Sequence, residues 1–277
     1  MRLIGHLPLL TYPDAVSLPA THAALQMARA MKADVDATIY SVDLPASGTS
    51  IAGLVIGISD MIRKVENDSR DHAASLTAAM QQFAQAAGLG LKLETRSASP
   101  AGAREGAVEK SRYCDMSVLP WETDNLTARE VAEAVIFGSG RPTLIVPAGH
   151  QATDLRHIAI AWDGSRVAAR ALADARPFLT EQTEITVLTV DDEKRLEPGI
   201  GERLAESLKR RGNQARCHVL STKGEPIAHA LQETSRSLGA GLLVMGGYGH
   251  SRLRDFVMGG ATQGVLANLT LPVLMSH

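Results

Sequence analysis

Thr186-Val187-Leu188-Thr189-Val190-Asp191 is a β-rich run closed by an acid, and Thr38-Ile39-Tyr40-Ser41-Val42-Asp43 repeats its character 148 residues earlier. A second pair, Arg141-Pro142-Thr143-Leu144-Ile145-Val146 and Leu271-Pro272-Val273-Leu274-Met275-Ser276, recurs at a spacing of 130. Two matches in the same order point to a duplicated unit. The spacings differ by 18 residues, so the first copy carries an insertion, which we expect in a loop over Leu44–Ser59, ahead of a long helix. Pro147-Ala148-Gly149-His150-Gln151 is the natural joint, giving expected domains 1–150 and 151–277.

Short β-rich runs alternate with helical patterns in each copy. In the second, strands are expected at Ile158–Trp162, Ile185–Val190, Ala215–Leu220, Leu242–Met245 and Pro272–Met275. Between them Ala168, Ala171, Leu172, Ala175 and Leu179 fall at helical spacing, as do Ile200, Leu204 and Leu208, then Ile227, Leu231, Thr234 and Leu238. The first copy repeats the scheme at Leu3–Leu10, Ala37–Val42, Leu91–Thr95, Met116–Leu119 and Thr143–Val146, with a long helix around Leu76, Met80, Phe83 and Ala87. Strand–helix alternation requires crossovers, and crossovers give parallel sheets covered on both faces. The expected fold is therefore α/β: two tandem, open, twisted five-stranded parallel sheets of Rossmann-like character.

Composition narrows the function. Hydrophobic residues are 45% and charged residues 21% of the 277, enough apolar material for two cores, with so few aromatics (4%) that those cores are aliphatic. A formal net charge of −2 lacks the footprint of a general nucleic-acid binder. Cys114 and Cys217 are far apart and form neither a disulfide framework nor a zinc ribbon. Pro8 interrupts the apolar start, which reads as no signal peptide, and Ile51–Ile58 is far short of the ~20 residues a membrane-spanning helix needs. The expectation is a cytoplasmic protein with neither nucleic-acid nor membrane partners.

The chemistry concentrates in Met245-Gly246-Gly247-Tyr248-Gly249-His250-Ser251, which leaves the fourth strand, and in Gly259-Gly260-Ala261-Thr262 ahead of a helix. Glycines let backbone amides approach an anion, and a helix start adds the positive end of its dipole. The ordinary reading of one G-x-x-G after a strand is a sharp turn. Here the whole pattern, G-x-x-G and then, after nine intervening residues, Gly-Gly, the terminal Leu-Pro-Val-Leu-Met-Ser, the opening Ile158-Ala159-Ile160-Ala161-Trp162-Asp163-Gly164-Ser165 and Gly224-Glu225-Pro226, resembles the universal stress protein family. The resemblance covers residues 152–277 and, through the duplication, more weakly 1–150.

That resemblance implies a groove between Asp163, the end of the second strand at Thr189 and Val190, and the glycine loop. It implies an adenine nucleotide there, ATP with magnesium, its phosphates on Gly246, Gly249, Gly259 and the adjoining Gly260, with His250 beside them. It also implies that the last strands of the two copies pair as an internal pseudo-dimer; a further homodimer of the whole chain stays open. One position departs: Gly260 stands where ATP-binding members have Ser or Thr, and Thr262 lies two residues on. In the first copy Leu119-Pro120-Trp121-Glu122 replaces the glycine loop, and Arg129 and Glu130 stand at the positions of Gly259 and Gly260. A carboxylate repels phosphate, so this copy is expected to bind no nucleotide.

Arg252 and Arg254 would add positive charge beside the phosphates or simply form a solvated helix start. Asp163 before Gly-Ser reads first as a turn and cap residue. His150, His157 and His218 lack zinc-ligand spacing, and no G-x-x-x-x-G-K-[S/T], G-x-S-x-G or H-E-x-x-H occurs. The fold is similar to that of nucleotide α-hydrolases, but their Ser-Gly-Gly-x-Asp-Ser loop is absent. The expected role is a stress-response sensor or store of nucleotide, no catalytic residue being assigned. The alternatives are a nucleotide-free interaction module, favoured by Gly260, and a slow magnesium-dependent ATP hydrolase using Asp163.

Overall fold

The computed structural model describes residues 2–45, 55–151, 155–192, 196–247 and 261–277. In chain order the elements are β1 (Leu3–Leu10), α1 (Leu18–Ala30), β2 (Ala33–Val42), α2 (Val55–Ala87), β3 (Leu91–Ala98), α3 (Pro100–Ser111), β4 (Met116–Trp121), α4 (Leu126–Gly138) and β5 (Thr143–Pro147). The second series is β6 (His157–Ala161), α5 (Arg166–Ala175), β7 (Glu184–Val190), α6 (Ile200–Lys209), β8 (Gln214–Leu220), α7 (Ile227–Ser237), β9 (Leu242–Gly246), α8 (Ala261–Ala267) and β10 (Val273–Ser276). All ten expected strands form.

Two expectations need correcting. The two five-stranded sheets are one ten-stranded sheet, ordered β3-β2-β1-β4-β5-β10-β9-β6-β7-β8. Every neighbouring pair is parallel except β5 and β10, which run antiparallel with Ile145 opposite Val273 and Leu144 opposite Leu274. The physical reason is the edge: each copy alone would present an unpaired strand of buried apolar residues, and pairing the two edges satisfies both ladders at once. The insertion is also not simply a loop. α2 begins at Val55, inside the segment expected to be irregular, and runs for 33 residues where its counterpart α6 has 10. The extra length has gone largely into helix, which satisfies its own backbone as it extends.

β2 begins four residues earlier than its β-branched run suggests. Ala33-Asp34-Val35-Asp36 alternates buried with half-buried positions, so the two aspartates sit on the open side of a strand. The apolar material divides over the two faces. One cluster joins Leu7, Ile39 and Met80 to Ile158, Val187 and Leu274; the other joins Leu119, Val135 and Ile145 to Leu188, Leu243 and Met275. Each layer draws side chains from both halves.

A second signature of duplication lies at the amino ends of β1 and β6. His6 stands opposite Asp36 and His157 opposite Glu184, equivalent positions 148 residues apart on β2 and β7. His157 donates Nδ1–H to the Leu238 carbonyl, which can only accept, and its Nε2 lies 2.9 Å from the Thr186 hydroxyl. In the first half Ser111 already donates to the Ala107 carbonyl, so His6 Nδ1–H donates to Ser111 Oγ and Nε2 accepts from Thr38. Both rings are held through both nitrogens, and burial, helped by Lys110 and Arg96, lowers the His6 pKa to about 3.

Candidate functional site

The strand order reverses at β6, which has β9 on one side and β7 on the other. Such a switch point opens a crevice at the carboxyl ends of the strands, where open α/β sheets bind ligands. Ala161 pairs with Leu188 and Ile160 with Val244. Two residues further along, Asp163 is therefore level with Val190, and Trp162 with Gly246. Asp163 and Val190 are thus level at the mouth of the crevice, with Gly246 one residue lower on the other side of β6, level with Trp162.

The turn from β6 into α5 is built by its own residues. Asp163 Oδ1 accepts the Ser165 backbone N–H at 2.9 Å, and Gly164 takes φ +73°, the left-handed region that favours glycine. Ser165 then caps α5, its Oγ accepting the Ala168 N–H at 3.2 Å. A cap of this kind contributes about 1 kcal/mol. The half-buried carboxylate thus has a local task at the start of α5 while remaining on the crevice rim.

Gly246 is required by packing. A side chain there would place Cβ 2.7 Å from Ala168 N and from Val167 C, backbone atoms of the first turn of α5. Gly247 has no such constraint, its nearest neighbours being Ser276 O at 3.7 Å and Ile136 Cγ2 and Met275 Cβ at 3.8 Å. Its own N–H donates to Ser276 O at 2.8 Å, and its carbonyl accepts from His277 Nδ1 at 3.1 Å. Thr189 is buried, with Oγ1 4.0 Å from Cys217 Sγ, beneath Gly201 of α6. Val190 is half-buried at the rim. Gly249, His250, Gly259 and Gly260 lie outside the described residues, as do Arg252 and Arg254.

Two residues that pattern reading overlooks shape the surroundings. Asp192, just past β7, gathers the turn after β8: it accepts from the Ser221 hydroxyl at 2.5 Å, from both the amide and hydroxyl of Thr222 at 3.0 Å, and from the Lys223 amide at 3.2 Å. These bonds, that from Ser221 foremost, hold its carboxyl far below the usual carboxylate range. Gln232 of α7, buried, donates to Asn268 O and accepts from Thr270, fixing the connection from α8 to β10. The acid that closes the β7 run is Asp191, so nothing in that pattern singles out its neighbour Asp192, and a lone helical Gln gives no signal for the second.

The corresponding crevice of the first half, between β1 and β4, is filled. Pro8, Leu10, Val16 and Leu119 close around a cavity of about 10 Å³. At its rim Glu122 Oε2 accepts the Ser17 N–H at 3.1 Å, placing a carboxylate at the start of α1, and Asn125 donates to the Asp14 and Ala15 carbonyls. Glu130 is exposed on α4 and pairs with Arg104 of α3 at 2.8 Å. Among the described residues no three His, Cys, Asp or Glu side chains cluster as metal ligands, and no helix is long and apolar enough to cross a membrane.

Residues 154–277 match the Universal stress protein family. No curated protein matches the chain. Among solved structures, a universal stress protein from Archaeoglobus fulgidus DSM 4304 is 15% identical with a TM-score of 0.71, over 98% of this chain and 95% of that one. A protein from Pseudomonas aeruginosa UCBPP-PA14 described as a universal stress protein is 13% identical with a TM-score of 0.50, over 99% and 93%. A shorter universal stress protein, in complex with cAMP, is 16% identical over 44% of this chain and 97% of its own, with a TM-score of 0.33. At these identities the likeness is one of fold.

Proposed function

We propose, from the match of residues 154–277 to the Universal stress protein family, that the chain is a tandem stress protein whose C-terminal domain, 151–277, binds an adenine nucleotide while its N-terminal domain, 1–150, does not. Base and ribose would lie against Asp163 and Val190, and the phosphates along Gly246, Gly249, Gly259 and Gly260. Magnesium would enter with ATP. The observation that supports this reading is the placement of Asp163 level with Val190 at the switch point, with Gly246 one residue lower across β6 and packed on the start of α5. The different treatment of the two halves rests on the filled first crevice, where Glu122 takes the place an anion would need. In this reading the β5–β10 junction is an internal pseudo-dimer. The two free thiols, Cys114 and Cys217, suit a cytoplasmic setting.

A second reading has one observation in its favour. Packing against α5 accounts for Gly246 without any ligand, which is what a nucleotide-free interaction module would require. Titration calorimetry of the full, nucleotide-stripped chain with magnesium-ATP separates the two. One site per chain, abolished by Gly249→Val in a variant that still unfolds cooperatively, is the expected result. Two sites would refute the division between the halves, and no heat at millimolar ATP would leave the interaction module. Gly246→Val is no substitute, because its Cβ would strike the α5 backbone and confound binding with folding.

A further inference from the structure

β3 ends the sheet, with β2 on one side and, among the described residues, no strand on the other. Its register on β2 runs from Val35 opposite Leu91 to Val42 opposite Ala98, and at the two ends Val35 N–H donates to Gly90 O and Asp43 N–H to Ala98 O. In a ladder, alternate residues of a strand turn both backbone groups to the same neighbour, so the even-numbered residues serve β2. Leu91, Leu93, Thr95 and Ser97 therefore point their N–H and C=O groups outward, a row ready to receive a further strand. Sheets guard such edges with charges that repel a second strand. Those of β3 alternate in sign instead: Lys92, Glu94 and Arg96 follow one another along the face that carries α3, where Glu94 pairs with Arg96 and with Lys110, both at 2.6 Å.

Charge selects the register in which a second, antiparallel β3 can lie on this edge. With Thr95 opposite Thr95 of the second copy, Glu94 falls opposite Arg96 of that copy and Arg96 opposite its Glu94, in the non-hydrogen-bonded pairs where side chains come closest. Leu93 and Ser97 are then hydrogen-bonded partners, and pairing extends over residues 92–98. With Glu94 or Arg96 opposite its own counterpart, like charges meet. With Leu93 opposite its counterpart, Lys92 meets Glu94, but β3 begins at Leu91 and the ladder is confined to residues 91–95. The other end of the sheet has no equivalent register, because β8 contains no acid to meet Arg216 of a second copy. The opposite face of β3 supplies an independent observation. A cavity of about 320 Å³ lies between α2 and this edge, lined by Thr95 of β3 and by Ala74, Thr77 and Ala78 of α2, with Arg70 and Gln81 about three turns apart along the helix. A two-fold through Thr95 brings α2 of a second copy alongside in the antiparallel sense, where small side chains permit helices to approach and the two Arg70 charges stay at opposite ends.

We propose that β3 is the surface through which two copies of the chain assemble, paired antiparallel about a two-fold at Thr95, with Glu94 against Arg96 on either side of it and the α2 grooves closed against one another. Such a contact is self-complementary and closes on itself. It repeats at the outer edge what β5 and β10 do at the centre, where two strand edges satisfy each other antiparallel, and it does not rest on the nucleotide reading.

Sedimentation equilibrium of the full chain, up to about 100 μM, should record a reversible monomer–dimer equilibrium. Arg96→Glu sets a carboxylate opposite Glu94, and Glu94→Arg sets a guanidinium opposite Arg96, so each alone should weaken the dimer by about tenfold or more. Mixed in equal amounts, the two variants again place opposite charges on both sides of Thr95, and a heterodimer should form with an affinity within about threefold of the wild type. Both substitutions also disturb the Lys110 contact, so each variant is first shown to unfold cooperatively, and a cysteine pair gives a second readout. Thr95→Cys, on the two-fold, should link two chains under mild oxidation, its Cα atoms being about 5.5 Å apart and within disulfide reach. Ser97→Cys, opposite Leu93, should not. A wild type that is monomeric at 100 μM overturns the proposal. So does a dimer indifferent to both charge reversals, which places the contact elsewhere, and so do open-ended oligomers, which mean that β3 pairs with a different edge such as β8. Weakened variants that fail to rescue each other, with no link through Thr95→Cys, overturn the two-fold at Thr95.

Discussion

At the scale of single residues, the buried His6 makes a sharp statement about pH. Its ring is fully buried, bonded to Ser111 and Thr38, and held neutral with a pKa of about 3, by burial first and by the Lys110 and Arg96 charges second. In the unfolded chain the same group titrates near its ordinary value of 6.5. Between those values the unfolded state binds the proton and the folded state does not, so stability is intact above pH ~6.5 and declines as pH falls toward 3. Urea unfolding at pH 7 and pH 5 should differ by about 2 kcal/mol from this group. In His6→Gln that part of the difference should vanish; an undiminished slope would clear His6 as its source. Nothing in the sequence announced this pair of histidines, because they fall outside the matched hexapeptides. Gly246 is a contrasting case: its presence was legible, but only the approach of the α5 backbone shows that packing requires it.

At the scale of elements, what sequence reading captures is what periodicity encodes. The strands with dense β-branched or aliphatic runs, such as Leu3–Leu10 and Thr143–Pro147, stand where pattern puts them. β2 is extended at its start because aspartates on an open face look like a turn. α2 starts within the expected loop because Val55-Ile56-Gly57-Ile58 reads as the end of a short apolar run broken by a glycine rather than as a helix start, and the helix only becomes evident once it packs on β2 and β3. Charge at helix starts is harder still, since Ser17 and Glu122 are 105 residues apart. That contact carries a prediction. Glu122 sits on the positive end of α1, where an anion is worth roughly 0.3–1 kcal/mol, so Glu122→Lys should lower stability by about 1 kcal/mol, read as a drop of about 2–4 °C in unfolding temperature. Equal destabilisation by Glu130→Lys, whose carboxylate pairs on the exposed face of α4, would show the effect to be general surface charge rather than the α1 start.

At the scale of the whole molecule, the question is whether duplication produced two bodies or one. The sequence shows two copies, and reading each as its own sheet is the natural step; what sequence cannot display is that β5 and β10 each supply the other's missing neighbour. Leu144 and Leu274 face each other there with no exposed surface, Leu274 belonging to the face that also holds Leu7, Met80 and Ile185. A core that draws on both halves makes each half's stability depend on the other, so unfolding should be cooperative across the chain. Calorimetry should therefore record one transition. Leu274→Ala, which empties a fully buried site, should cost about 2–5 kcal/mol and move that transition as a unit, even though the residue belongs to the second copy. If the scan instead resolves two transitions and only one shifts, the copies fold independently and the shared ladder merely docks them.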